Sequence, residues 1–386
     1  MISYFFTLDL SLFLQSTPSL VISLIGLLVT GRILEKVVDD LELKIYPILL
    51  QSNCILNFKG NIELLYALYL SSMRLNDYLN YKKYLRYAFD NGYLVLLQSI
   101  TIGITIGIIG ISKLVLSGIF DIKIFLNIFT TSLVTCTVST LLFILFLYFT
   151  IEFSKYCDIT PDNVVLPTIS SISDYLSIRL LILFTKFFKK SSIFSMIFII
   201  SLCLCFVPIC LFFIFVSKKR MPIQSVQILF FTYILSTLGG YFLDIFSSKY
   251  SFIASTFPVY SGLAVSIAFI YLHKIFTSIN NNIEHDSEKT KATLLVTSFI
   301  MILFYILLSM YYEVRKGIMF YILLISFFLC QVGILLKLIE ELAVFLQEYE
   351  GDIGIVSIPI ITALGDVLST LLLILVASLS TKKIDK

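Results

Sequence analysis

Stretches of about 20 apolar residues, separated by short charged clusters, recur along this chain of 386 residues. A bilayer core is ~30 Å thick, and an α-helix needs about 20 residues to cross it. The composition agrees: 58% of residues are hydrophobic, 14% are charged, and the mean hydropathy is +0.98. Soluble domains run nearer ~45–50% apolar and ~25% charged. A soluble fold of this length has too little interior to hide such a surface, whereas lipid accepts it. The fold class expected is therefore an all-α polytopic membrane protein. Eleven spans are predicted, near residues 15–36, 45–73, 91–117, 123–154, 164–187, 191–217, 224–247, 253–277, 292–312, 318–347 and 355–380.

Several function classes drop out early. A net charge of +3 with no long basic run does not make a nucleic-acid surface. There is no Gly-rich phosphate loop and no protease-like or glycosidase-like motif, so no enzyme is expected. Seven cysteines include no C-x-x-C pair, which argues against a zinc site or a disulfide framework. Most lie in apolar spans, where a thiol acts as a small hydrophobe. His273 and His285 are too few for a haem or multi-histidine site, and His273 reads as a headgroup-level residue beside Lys274. With no Trp, the 22 Tyr are left to form the interfacial belt. The opening MISYFFTLDL lacks a basic n-region and a cleavage site, so no cleaved signal is expected. The hydrophilic loops are short, and any gating domain is expected to belong to a partner. Lysine and arginine are nearly balanced between the two sides, so charge assigns no orientation.

The fifth and eleventh spans repeat one pattern. PDNVVLPTISSISDYLSIRLLIL places Pro167 seven residues before Asp174, and GIVSIPIITALGDVLSTLLLIL places Pro359 seven residues before Asp366. The offset is 192 for both pairs. Seven residues are about two turns, so proline and aspartate share a helix face ~10 Å apart. Proline also frees the carbonyl four residues earlier, which lipid tolerates only beside protein or a watery cavity. The pattern divides the chain into a first repeat at 15–187, a linking helix at 191–217 and a second repeat at 224–380. Corresponding helices are six apart, so the halves run parallel about an axis along the membrane normal. Asp174 and Asp366 then face each other across that axis.

A carboxylate in mid-span costs at least ~2.5–3.5 kcal/mol on insertion scales and marks a functional site unless it is neutralised. Arg179 is the nearest cation for Asp174 in its own helix, and Asp366 has none within two turns. Two facing carboxylates can share a proton or hold a cation. Their neighbours are oxygen donors: Ser170, Ser171, Ser173, Thr362, Ser369 and backbone carbonyls. Such a set suits magnesium, calcium or manganese. Magnesium keeps several of its waters, so few protein ligands suffice.

The second span, NCILNFKGNIELLYALYLSSMRL, places Lys59, Gly60, Asn61 and Glu63 together. Lys59 and Glu63 are four apart and can pair along the helix. The alternative reading of these residues is a span end at headgroup level.

The segment FKGNIELLYALYLSS (Phe58–Ser72), PDNVVLPTISSISD (Pro161–Asp174), GGYFLD (Gly239–Asp244) and SIPIITALGDVLST (Ser357–Thr370) occur in order. Together they resemble the eukaryotic solute carrier family 41, the two-repeat relatives of bacterial MgtE magnesium channels. TALGD beside SIP is the most specific piece. The resemblance implies magnesium as transported ion, no resident cofactor, and metal contacts from Asp174, Asp366, Asn61, Ser170 and Thr362. Gly60, Ser266, Pro167, Pro359 and Gly365 are the expected pathway lining. It also implies a multi-pass protein of a eukaryotic plasma membrane, working as a monomer with internal pseudo-symmetry. Its partners would be divalent cations and lipid, with no nucleic acid.

The chain departs from the family pattern at three places. Val265 and Ser266 stand where the family has Gly-Asn, Ser173 where it has glycine, and Gly354 and Ile355 where it has Asp-Asn. The second half thus has one fewer amide than the first. Two function classes remain open on the residues alone. One is a divalent-cation pathway, channel or exchanger, lined by one aspartate from each half. The other is a proton-coupled carrier of a different solute using the same carboxylates as a relay.

Overall fold

The computed structural model describes residues 8–76, 81–156, 161–216, 224–250, 252–281, 286–312, 317–348 and 353–381. Among them are eleven α-helices and no strand. In chain order they are α1 (Leu10–Asp39), α2 (Ile48–Asn76), α3 (Tyr81–Leu116), α4 (Ile122–Tyr156) and α5 (Pro161–Lys190). Then follow α6 (Ile193–Val216), α7 (Gln224–Lys249), α8 (Phe252–Asn281), α9 (Ser287–Tyr312), α10 (Ile318–Glu348) and α11 (Ile353–Thr381). The eleven predicted spans fall one on each helix.

Local chemistry sets the helix ends. Asp9 caps α1 by accepting from the Leu12 N–H at 3.1 Å. At the end of α3, Gly118 adopts φ +76°. There the Ile119 N–H reaches back to the Leu114 carbonyl at 3.0 Å, a Schellman-type closure that glycine permits. Asp121 starts α4 by accepting from Lys123 N–H at 2.8 Å.

Eight of the eleven helices are long and apolar enough to cross a membrane among the described residues; α2, α5 and α7 fall outside that group. Burial separates the others by position. α8 has 83% of its apolar window buried and forms the centre. α6 has 11% buried and packs on α3 and α4 alone among its strong contacts, turning Phe194, Phe198 and Phe212 outward. In lipid an apolar surface of this kind is the stable one.

Packing partners recur six helices apart. α1 lies on α5 as α7 lies on α11, and α2 on α5 as α8 on α11. α4 lies on α5 as α10 on α11, and α2 meets α7 as α8 meets α1. Without a hydrophobic force between helices, small residues bring backbones together. Gly103 and Gly107 of α3 sit against the α4 backbone at Leu133 and Phe129. Gly31 of α1 sits against the Ser255 carbonyl of α8, where any Cβ would collide. Polar side chains add bonds between helices. Gln51 of α2 donates to Ser132 Oγ on α4 (2.6 Å), and Gln331 of α10 donates to Ser369 Oγ on α11 (2.6 Å).

Candidate cation site

Five helices, α1, α2, α5, α8 and α11, surround a partly open cavity whose empty space, counted out into the open solvent at its mouth, is about 750 Å³. Asp174 from α5 and Asp366 from α11 both line it. They are half-buried, and both are reached by the cavity. Ser261 of α8 donates to the Asp366 carboxylate, and the Asn57 amide of α2 approaches the same group.

The α2 wall is a line of amides. Asn53, Asn57 and Asn61 recur every fourth residue, so one face of the helix presents all three to the cavity. Asn57 Nδ2 donates to the Asn53 carbonyl at 3.2 Å. Asn53 Nδ2 donates to the Ser236 carbonyl of α7 at 3.3 Å. Asn61 Oδ1 accepts from Thr362 Oγ1 of α11 at 2.6 Å, which ties α2 to the Asp366 helix. Asn53 Oδ1 and Asn61 Nδ2 are buried with no hydrogen-bond partner among the described residues. An orphaned polar atom beside a cavity is where water or a hydrated ligand is expected.

The residues singled out from the sequence divide into three groups. Asp174, Asp366, Asn61, Thr362, Gly60 and Ser266 line the cavity together. A side chain at Gly60 would meet nothing within 4 Å, so glycine there leaves space open. Pro359 and Gly365 lie in α11 but not on the cavity wall. Pro359 lends its carbonyl to Thr362 Oγ1 at 2.9 Å, and the Gly365 carbonyl accepts from Gln331 at 3.2 Å. Gly365 is needed instead for close packing on Val265 of α8. Pro167 and Ser170 belong to α5, and their side chains lie outside those described.

Two questions about charge left open by the sequence are answered by the packing. Arg179 does not serve Asp174: it is exposed and donates to Tyr175 Oη at 3.3 Å. Lys59 and Glu63 lie in the middle of α2 (Ile48–Asn76) and not at its end. They are 2% and 3% exposed and pair inside the bundle. Asn53, Asn57 and Ser261 were not singled out from the sequence. The four-residue spacing of the asparagines was the available signal for two of them.

Among the described residues no group of three or more His, Cys, Asp or Glu side chains gathers into a metal cage. The cavity instead offers two carboxylates among amides and hydroxyls. Fold and site together define a multi-pass helical membrane protein with an acidic cavity. A family described as MgtE: Divalent cation transporter matches residues 52–184, roughly a third of the chain. That stretch contains Asn53, Asn57, Asn61 and Asp174, while Asp366 lies beyond it. No curated protein and no solved structure matches the chain. The family match supports transport of divalent cations.

Proposed function

We propose that this chain carries Mg2+ across a membrane through the cavity between two MgtE-like repeats of a family-41 type, residues 15–187 and 224–380, joined by the helix at 191–217. The observation that carries the reading is the convergence on one cavity of a carboxylate from α5 and a carboxylate from α11, facing the three asparagines of α2. The recurrence of packing partners six helices apart supports the two-repeat arrangement.

The chemistry favours a hydrated ion. Magnesium holds an octahedral shell and loses water reluctantly. The two carboxylates attract a dication twice as strongly as a monovalent ion. Waters bound to Mg2+ point their hydrogens outward, so Asn53 Oδ1 and the two carboxylates can accept from them and the ion need not shed its shell. Zinc and copper favour thiolate or imidazole ligands, and no such side chain lines the cavity.

The test is Mg2+ uptake by proteoliposomes together with Mg2+-dependent thermal stabilisation. Binding to the folded state at 100 times Kd adds about 2.7 kcal/mol. Asp174→Asn with Asp366→Asn is expected to abolish uptake and remove that stabilisation. Uptake equal to wild type in the double variant would show that the carboxylates are not the site.

A further inference from the structure

A second polar cluster lies where α2 meets α5, behind the cavity wall. Lys59 and Glu63, one turn apart on α2, form a buried ion pair. Ser173 of α5 closes it. Lys59 Nζ donates to Ser173 Oγ at 2.9 Å, and Ser173 Oγ donates to Glu63 Oε2 at 2.6 Å. The Phe143 ring of α4 faces the ammonium with its centroid 5.8 Å away. None of these side chains lines the cavity, but Ser173 is the chain neighbour of Asp174.

A buried ion pair is no explanation of stability, because well-packed apolar groups in its place are often as good or better. The molecule contains its own comparison. The offset of 192 sets Gly365 opposite Ser173. The offset that sets Ser266 opposite Asn61 also sets Ala264 opposite Lys59 and Ala268 opposite Glu63. In the second half these positions carry no charge: both alanines are fully buried, and Gly365 packs on Val265 of α8. Packing of this helix pair does not require charge, so the lysine in the first half calls for another reason.

Electrostatics supplies one. The Lys59 ammonium is bonded to Ser173, the residue that precedes Asp174 in α5, and this sets a buried positive charge beside the Asp174 position. Among the described residues, the hydrogen-bonding groups at Asp366 are Ser261 and Asn57, both neutral. We infer that Lys59, held in place by Glu63 and Ser173, is a resident counter-charge to Asp174 that sets how tightly the cavity holds its cation. This rests on the cation-site reading above. It makes the two carboxylates unequal: Asp366 is the stronger hold, and Asp174 is already partly compensated. A transported ion must bind well enough to enter and weakly enough to leave. A fixed ammonium behind one of two carboxylates provides the second requirement.

The experiment measures apparent KM and maximal rate for Mg2+ influx in proteoliposomes. Wild type must show saturable influx that Asp174→Asn with Asp366→Asn removes; failure there sinks the cation-site reading itself. With that control in hand, Lys59→Met with Glu63→Met removes both charges at similar volume. Its KM should fall about tenfold, equivalent to ~1.4 kcal/mol, with no gain in maximal rate. Ser173→Ala frees the ammonium to swing toward Asp174, and its KM should rise severalfold. Opposite movements in KM are what a purely structural cluster does not give, since damage to the fold lowers the amount of active protein and leaves KM alone. An unchanged or raised KM in the double Met variant overturns the inference. If that variant does not accumulate as folded protein, Ser173→Ala decides alone, and an unchanged or lowered KM overturns it.

Discussion

The contact between α2 and α5 and the contact between α8 and α11 solve one packing problem with different residues. In the first, Ser173 lies between Lys59 and Glu63 and bonds to both. In the second, Gly365 lies so close to Val265 that a Cβ would overlap the valine Cγ2. Both contacts place an aspartate one residue further on, and both aspartates reach the same cavity. Helix geometry therefore follows from the small residue before the aspartate, while the charge around that aspartate is independently adjustable. The first half uses this freedom to bury a lysine, and the second half leaves its carboxylate to hydroxyl and amide donors.

The comparison is most sharply broken by leaving one ion uncompensated. Glu63→Ala removes the partner of a cation that is 2% exposed. Losses of this kind cost about 3–5 kcal/mol. The melting temperature of the purified protein should drop steeply, whereas Lys59→Met with Glu63→Met should melt within about 1 kcal/mol of wild type, since paired apolar replacement is often neutral. A double variant as unstable as the single would mean that the charges hold α2 to α5.

The next effect concerns space. Gly365→Ser copies the first half into the second and forces a side chain onto Val265. Overpacking of this kind costs about 1–3 kcal/mol. Ser173→Gly copies the second half into the first but removes the hydroxyl that bonds both buried ions, so it should cost at least as much. Val265→Ala combined with Gly365→Ser should recover most of the loss, because it removes the methyl group in the way. Thermal denaturation of the three variants in one detergent checks the ordering.

Much of this was legible in the residues. Eleven apolar stretches gave eleven helices, since span length follows from bilayer thickness. The 192-residue offset paired Asp174 with Asp366, and the cavity contains both. What stayed hidden were directions and depths. Arg179 is five residues from Asp174, about 140° around the helix, so it points away from the carboxylate and out of the bundle. Gly365 neighbours Asp366 in sequence and therefore reads as lining, but successive residues differ by about 100° in direction, and it faces Val265. Lys59 and Glu63 can be read at a headgroup or in a core, because the i,i+4 pairing is the same in either place. Only the arrival of Ser173 from α5 distinguishes them. Ser261 could not be picked out, since nothing in α8 marks one serine as the donor to a carboxylate on α11.

The amide line on α2 allows the finest test of the asymmetry. Asn61 and Ser266 both reach the cavity. Asn61 additionally bonds Thr362 across to α11 at 2.6 Å. Asn61→Ser makes the two positions alike and removes that bond together with an amide able to meet a shell water. One neutral hydrogen bond contributes about 0.5–1.5 kcal/mol. The apparent KM for Mg2+ should rise by roughly twofold to tenfold, with the melting temperature in the absence of Mg2+ falling only slightly. Ser266→Asn is the reciprocal change, adding an amide where the second half lacks one, and should lower KM if amides act on the shell waters. If Asn61→Ser moves the melting temperature but not KM, Asn61 is a strut between α2 and α11, and the hydration role passes to Asn53 and Asn57 alone.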